Sequence, residues 1–295
     1  MIDVRKLRLL RELGHRGTIA AVAEAMSFTP SAVSQQLSAL ERETGRALLA
    51  RTGRRVVLTP HGLLLAEHAE AVLAELERAE AALADDAELS GTVRVGAFQT
   101  AFNSLVLPAI ASVSENCSGL SVSVTEVDPA VVPDLLRCDE LDLALVHEYD
   151  NVPSTLGAGI DVEPLVDEVV YFASTTRPDV GASEVIRAHS DSRWILGNPG
   201  TLCHTMAVRS CQAAGFEPRV AHRIDDYGAV LKLVALGTAV ALVPQLGVDD
   251  VPDGVVLTPL PARRRTRVAY RRGSGARPAL RAVVGELRCA AKGLT

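Results

Sequence analysis

Five uncharged polar side chains and three arginines carry the first chemical signal in this chain. Ser31, Ser34, Gln35, Gln36 and Ser38 lie between Pro30 and Thr44, where Val33, Leu37 and Leu40 recur at helical spacing and form one apolar stripe. The polar residues therefore occupy the faces that the stripe leaves free. A helix of this composition enters the DNA major groove and reads base edges, and Gln35 has the geometry to pair bidentately with adenine. Arg51, Arg54 and Arg55 follow closely and suit phosphates or the minor groove. The same residues also fit a surface helix pair with a solvated basic turn. Local pattern alone leaves both readings open.

A second set lies farther along, at the ends of apolar runs: Gln99-Thr100-Ala101, His147, Asn198 with Gly200 and Thr201, and Asp226-Tyr227. In open α/β sheets, ligands sit at the carboxyl ends of strands, where helix N-termini present free N–H groups. Each of these residues also reads as a turn or cap, and Asp225 most of all, since Asp ahead of a helix is ordinarily its cap. The pair Asp225-Asp226 suits an amine-bearing ligand. Catalytic motifs are missing: there is no G-x-S-x-G, P-loop or HExxH, and Cys203-His204 has no further ligands at metal spacing. No catalytic residue, metal or cofactor is expected. The five cysteines form no CxxC pair, which argues against a structural zinc site or a disulfide framework.

The elements that must position these groups follow from the same pattern. Asp3 starts a helix over residues 3–14, Thr18 caps a second, and Thr29 caps the third with Pro30 at its first position. Gly53-Arg54-Arg55 reads as a hairpin tip and Val56–Leu58 as its return strand. Residues 60–88 read as one long helix with a heptad seam of Leu65, Ala69, Val72, Leu76, Ala79 and Leu83, flanked by outward Glu67, Glu70, Glu75, Glu77 and Glu80. That seam fits either a dimer contact or a single helix packed on its own domain. From Thr92 onward strands alternate with helices, which predicts a mostly parallel sheet. The expected strands include Thr92–Ala97, Leu141–Val146, Glu168–Ala173, Val255–Leu257 and Arg267–Tyr270. The run Arg263–Arg267 reads as a solvated loop entering the last of these.

Charge is divided as the helices are. Residues 1–60 hold ten Arg or Lys against five Asp or Glu, so this head carries +5 and the remainder −11. Only the head is then expected to meet phosphate. Aromatic residues make up 3% of the chain, too few for single-stranded nucleic acid bound by stacking. No run of eighteen apolar residues and no leader pattern occurs, so no membrane contact and a cytoplasmic location are expected.

The run SFTPSAVSQQLSALERETGRALLARTGRRVVLTPHG resembles the winged helix-turn-helix of LysR-type transcriptional regulators at Ser34, Gln36, Leu40, Glu41, Arg51, Arg55, Leu58, Thr59 and Gly62. Leu49-Ala50 and His61 depart from the family pattern. The resemblance implies an α+β winged helix-turn-helix over 1–59, a dimerising linker helix over 60–89, and a two-lobed α/β periplasmic-binding-protein-like effector domain over 90–295. Lobe 1 would hold about 90–165 and 265–295, and lobe 2 about 166–264. It implies double-stranded DNA as partner, with Thr18, Thr29, Pro30, Ser31, Ala32, Ser34, Gln35, Gln36, Ser38, Arg51, Arg54 and Arg55 in contact. It further implies a small-molecule effector and a homo-oligomer, dimer or tetramer. Cys203 and Cys211 resemble, with an offset of one position, the thiol pair of the peroxide-sensing branch. At about 12 Å along a helix they are too far apart for a disulfide without local unfolding. Two readings compete: a thiol-based sensor within the same family, and a solute-binding or enzymatic α/β protein whose N-terminal helices only dimerise it.

Overall fold

Caps set the first three helices. The computed structural model describes residues 2–52, 55–84, 89–152, 156–177 and 179–294. Asp3 accepts from the Arg5 N–H and starts α1 (Val4–Arg16). Thr18 Oγ1 accepts from Ala21 N at 3.1 Å and starts α2 (Ile19–Ala25). Thr29 Oγ1 accepts from Ala32 N at 3.2 Å and starts α3 (Pro30–Thr44). Gly17 and Gly45 close α1 and α3 in the left-handed region that glycine enters without strain. Leu10, Leu13, Val22, Val33, Leu37 and Leu40 are all buried in the core between these helices. Each such side chain contributes about 1.5–3 kcal/mol.

Glu41 joins the next element to α3. Its Oε1 accepts the backbone N–H groups of Leu48 and Leu49 at 2.9 and 3.0 Å. These two bonds seat the hairpin of β1 (Leu49–Thr52) and β2 (Arg55–Leu58), paired antiparallel with Leu49 opposite Leu58. Gly53 and Arg54, the expected tip, lie outside the described residues, and Arg55 is described by its backbone alone.

Thr59 both caps α4 (Pro60–Leu83) and donates its hydroxyl to Ala47 O at 2.8 Å. Gly62 lets α4 approach the hairpin, because a Cβ there would stand 2.2 Å from Leu48 O. Gly62→Ala is expected to destabilise the chain by about 1–3 kcal/mol, as overpacking does. Urea denaturation checks this, and an unchanged midpoint would show that the hairpin yields freely.

The expected seam of α4 keeps one side of the helix but changes cover along its length. Leu65 and Ala69 pack inward with Leu73 and Ala74, whereas Val72, Leu76 and Leu83 are exposed. Glu70 and Glu77 are not on the wet side as expected. Glu70 meets His15 Nε2 at 2.8 Å, and Glu77 meets Arg271 Nε at 2.7 Å. Basic side chains on neighbouring elements draw both acids inward. Glu70 is held below the usual carboxylate range because the His15 hydrogen bond and the Arg11 charge outweigh its burial, the largest single influence.

The rest of the chain forms one eight-stranded sheet, in the order β4-β3-β5-β10-β6-β9-β7-β8. Its strands are β3 (Gly91–Ala97), β4 (Leu120–Glu126), β5 (Leu143–Tyr149), β6 (Ile160–Ser174), β7 (Arg193–Leu196), β8 (Arg219–Arg223), β9 (Val240–Pro244) and β10 (Val256–Arg271). The sheet is mixed rather than mostly parallel. β3 pairs parallel with β4 and β5, and β7 with β8 and β9, but β6 and β10 run antiparallel to each other and to their outer neighbours. The two short strands expected at 255–257 and 267–270 are one strand, β10. It and the fifteen-residue β6 cross from one lobe to the other.

Lobe 1 is covered by α5 (Gln99–Ala101), a π-helical stretch Phe102–Val106, α6 (Leu107–Asn116), α7 (Val132–Arg137) and α11 (Pro278–Lys292). Lobe 2 is covered by α8 (Val185–Ala188), α9 (Leu202–Ala213) and α10 (Tyr227–Ala235). The head rests on lobe 1 through charge. Arg16 bonds Glu12 at 3.0 Å, Asp134 at 3.3 Å and Cys138 Sγ at 3.3 Å, and Glu12 is fully buried.

Candidate functional site

Two surfaces bring the sequence-derived residues together. On α3, Val33, Leu37 and Leu40 are buried, while Ser31, Ser34, Gln35, Gln36 and Ser38 are exposed. Pro30 is exposed beside them, Ala32 is half-buried, and Thr18 and Thr29 are spent as exposed helix caps. Among the described residues, the side chains of Ser34, Gln35, Gln36 and Ser38 have no hydrogen-bond partner, so their donors and acceptors are free for a ligand. Arg51 is exposed on β1, the strand that Glu41 ties to α3.

The second surface is a cleft of about 590 Å³ between the lobes. Gln99, Thr100, His147, Thr201, Asp226 and Tyr227 line it. Three expected residues do not. Ala101 is fully buried in the lobe 1 core, Asn198 turns to Asp225, and Gly200 occupies a turn at φ +98°. His147 is not at a strand end, because β5 runs on to Tyr149. Asp225 is not the cap of α10. Its Oδ1 accepts from Asn198 N at 2.9 Å, while Asp226 Oδ1 takes the capping bond from Ala229 N at 3.2 Å.

The floor of the cleft comes from the arginine run expected to be solvated. Arg264 is 1% exposed. Its Nε and Nη2 donate to Glu168 at 2.9 and 2.6 Å, and Nη2 also donates to Thr100 Oγ1 at 3.0 Å. Glu168 accepts further from Thr266 Oγ1 at 2.7 Å and Leu246 N at 3.0 Å. The guanidinium lies 5.1 Å from the centre of the Phe98 ring. Strand alternation was the missed signal: Arg264, Thr266, Val268 and Tyr270 share one inward face, and Glu168 supplies the opposite charge on the neighbouring strand.

Around this pair burial disfavours charge on three rings. Burial, with the Arg264 charge adding to it, pushes the His147 imidazole well below its ordinary value. Burial pushes the Tyr149 and Tyr227 phenols up. Tyr149 Oη and Cys203 Sγ are 3.2 Å apart, and His147 Nε2 lies 3.9 Å from the same sulfur. Cys211 differs in kind. It is fully buried in the lobe 2 core, and burial pushes its thiol up to about 12, so it holds its proton at neutral pH. No group of three or more His, Cys, Asp or Glu among the described residues is arranged to hold a metal.

Residues 4–63 match the model of bacterial regulatory helix-turn-helix proteins of the lysR family, and residues 86–292 match the LysR substrate binding domain. The chain belongs to the LysR family. It is a LysR-family DNA-binding transcriptional regulator with an effector-binding domain. The probable hydrogen peroxide-inducible genes activator of Mycobacterium avium is 30% identical over 82% of this chain and 78% of its own. The nitrogen assimilation regulatory protein nac of Escherichia coli is 26% identical over 83% and 79%. A full-length point variant of OxyR from Pseudomonas aeruginosa shares the fold with a TM-score of 0.60 at 22% identity, covering 98% of each chain. CbnR, a LysR family transcriptional regulator, shares it at 0.52 and 21%, covering 97% of this chain and all of its own. No helix among the described residues is long and apolar enough to cross a membrane.

Proposed function

We propose that this LysR-family regulator reads duplex DNA with the outward face of α3 and senses a small molecule in the cleft between its lobes. The observation that carries the reading is the row of exposed, uncharged and internally unpartnered groups on α3 beside the exposed Arg51. Gln35, Ser31 and Pro30 face base edges, and Ser34 with Arg51, Arg54 and Arg55 lies along phosphates. Residues 1–59 act as the DNA-binding head, 60–89 as the linker, and 90–295 as the effector domain. The protein works in the cytoplasm as a homo-oligomer and is not an enzyme. The relatives' names, which include a nitrogen assimilation regulator and a peroxide-inducible genes activator, support regulation but differ in signal. The protonated, enclosed thiol of Cys211 speaks against a two-thiol sensor.

The two kinds of DNA contact separate by experiment. Arg51→Ala is expected to weaken binding to every duplex and to lower the salt slope by about 1. Gln35→Ala is expected to cost about 1–3 kcal/mol on the selected operator and little on random duplex. Fluorescence anisotropy over a salt series reads both. Equal binding of wild type and both variants to all duplexes would remove α3 and the hairpin from the interface.

A further inference from the structure

The cleft mouth has a charge pattern that its floor does not explain. Glu126 ends β4 and Asp128 follows it on lobe 1, and Asp225 and Asp226 precede α10 on lobe 2; all four line the same cavity. The cation that lines it, Arg264, is already matched by Glu168. Among the described residues none of the four mouth carboxylates forms an ion pair. Their hydrogen bonds leave acceptors over. Asp128 Oδ1 takes Ala130 N at 2.8 Å and Asp226 Oδ1 takes Ala229 N, so each keeps its second oxygen, while both oxygens of Glu126 are unpartnered among the described residues. Asp225 is filled by the backbone and side-chain nitrogens of Asn198. The groove that continues past Tyr227 adds Asp249 and Asp250 beside Lys232.

A second observation at the floor also points to an occupant. His147 is 7% exposed, lines the cavity, and its Nδ1 has no partner among the described residues. A buried ring nitrogen without a partner is costly unless a ligand or water meets it. The floor thus offers the His147 imidazole, the Tyr227 phenol and the Cys203 sulfur, and the mouth offers negative charge from both lobes.

We propose that the effector is an organic cation, a primary amine or a zwitterion with its ammonium group at the mouth, held between Glu126 and Asp128 of lobe 1 and Asp226 of lobe 2. This rests on the reading of the cleft as the effector site. Carboxylates carried by opposite lobes repel when the cleft is empty, and an ammonium group between them turns that repulsion into attraction on both sides. Its affinity is therefore greater for the closed arrangement, which is the differential affinity a population shift requires. Simple dianions are repelled at the mouth before they reach Arg264, itself already paired.

Three probes with one carbon skeleton test this on the full chain: 1,5-diaminopentane, 5-aminopentanoate and glutarate, with magnesium chloride as a fourth arm. Calorimetric titration is expected to show binding of the diamine or the amino acid, none of glutarate, and weakening with added salt. Glu126→Gln with Asp226→Asn is expected to lower that affinity about tenfold or more, as loss of charged hydrogen bonds does. Asp226→Asn keeps a side-chain oxygen to cap α10, so the fold is retained. Glutarate binding as tightly as the amines, saturation by magnesium alone, or no binding by either amine overturns the cation assignment. Thr100→Trp, which fills the cleft, separates this from failure of the cleft itself. Glutarate binding that Thr100→Trp abolishes leaves the cleft standing and the cation wrong. Amine binding that survives Thr100→Trp and the double substitution overturns both.

Discussion

Glu168→Ala is expected to lower the thermal midpoint by roughly 6–20 °C. Glu168 is fully buried, and four hydrogen bonds converge on it from Arg264, Thr266 and Leu246. Removing it leaves the Arg264 guanidinium buried without its counter-ion. Arginine cannot shed its proton to escape, because a guanidinium stays charged in proteins even when its carboxylate partner is gone. Breaking one side of a buried pair costs about 3–5 kcal/mol, and a chain of this size loses about 2–4 °C per kcal/mol. Replacing both partners by apolar residues of similar volume should be far milder, because no uncompensated charge is left. Differential scanning calorimetry of Glu168→Leu, Arg264→Leu and the two together completes the cycle, with Glu168→Ala alongside. A double variant no more stable than the singles would mean that the pair is not the unit that matters. Because Arg264 also holds Thr100, the single variants should disturb the cleft as well as the fold.

Val72→Asp with Leu76→Asp is expected to yield a monomer and to weaken operator binding by roughly 10²–10⁴-fold, the gain that a second linked site supplies. Both residues are about 40% exposed on α4, in line with Leu83 at 87%. They lie on the flank of α4 beside Ala69, Leu73 and Ala74, which bind the helix to its own chain. Exposed apolar stripes on a helix call for a partner, and a second copy presents the same stripe. Circular dichroism checks that the protomer stays folded, since both side chains are also partly covered by their own chain. Sedimentation velocity and gel shift together read the outcome. A variant that still sediments as wild type, or a monomer that binds its operator with unchanged affinity, would remove α4 from the role given to it.

Local order in this chain was legible without coordinates. Thr18 and Thr29 with Pro30, and the stripe Val33-Leu37-Leu40, rest on interactions within a few residues, and sequence spacing records those directly. The division of charge between head and body was equally plain, because it is a count. What spacing does not record is which distant segment lies opposite. Arg264 lies inside a strand because β5 and β6 pair on either side of β10, more than ninety residues away in sequence. Asp225 left the helix cap to Asp226 because Asn198, on the neighbouring βα loop, took its oxygens. Glu70 and Glu77 turned inward because arginines from α1 and β10 reached them. A charged side chain reads as wet in one dimension. Only the tertiary structure decides whether an opposite charge waits beside it, since pairing energy depends on distance through space and the chain encodes only distance along itself.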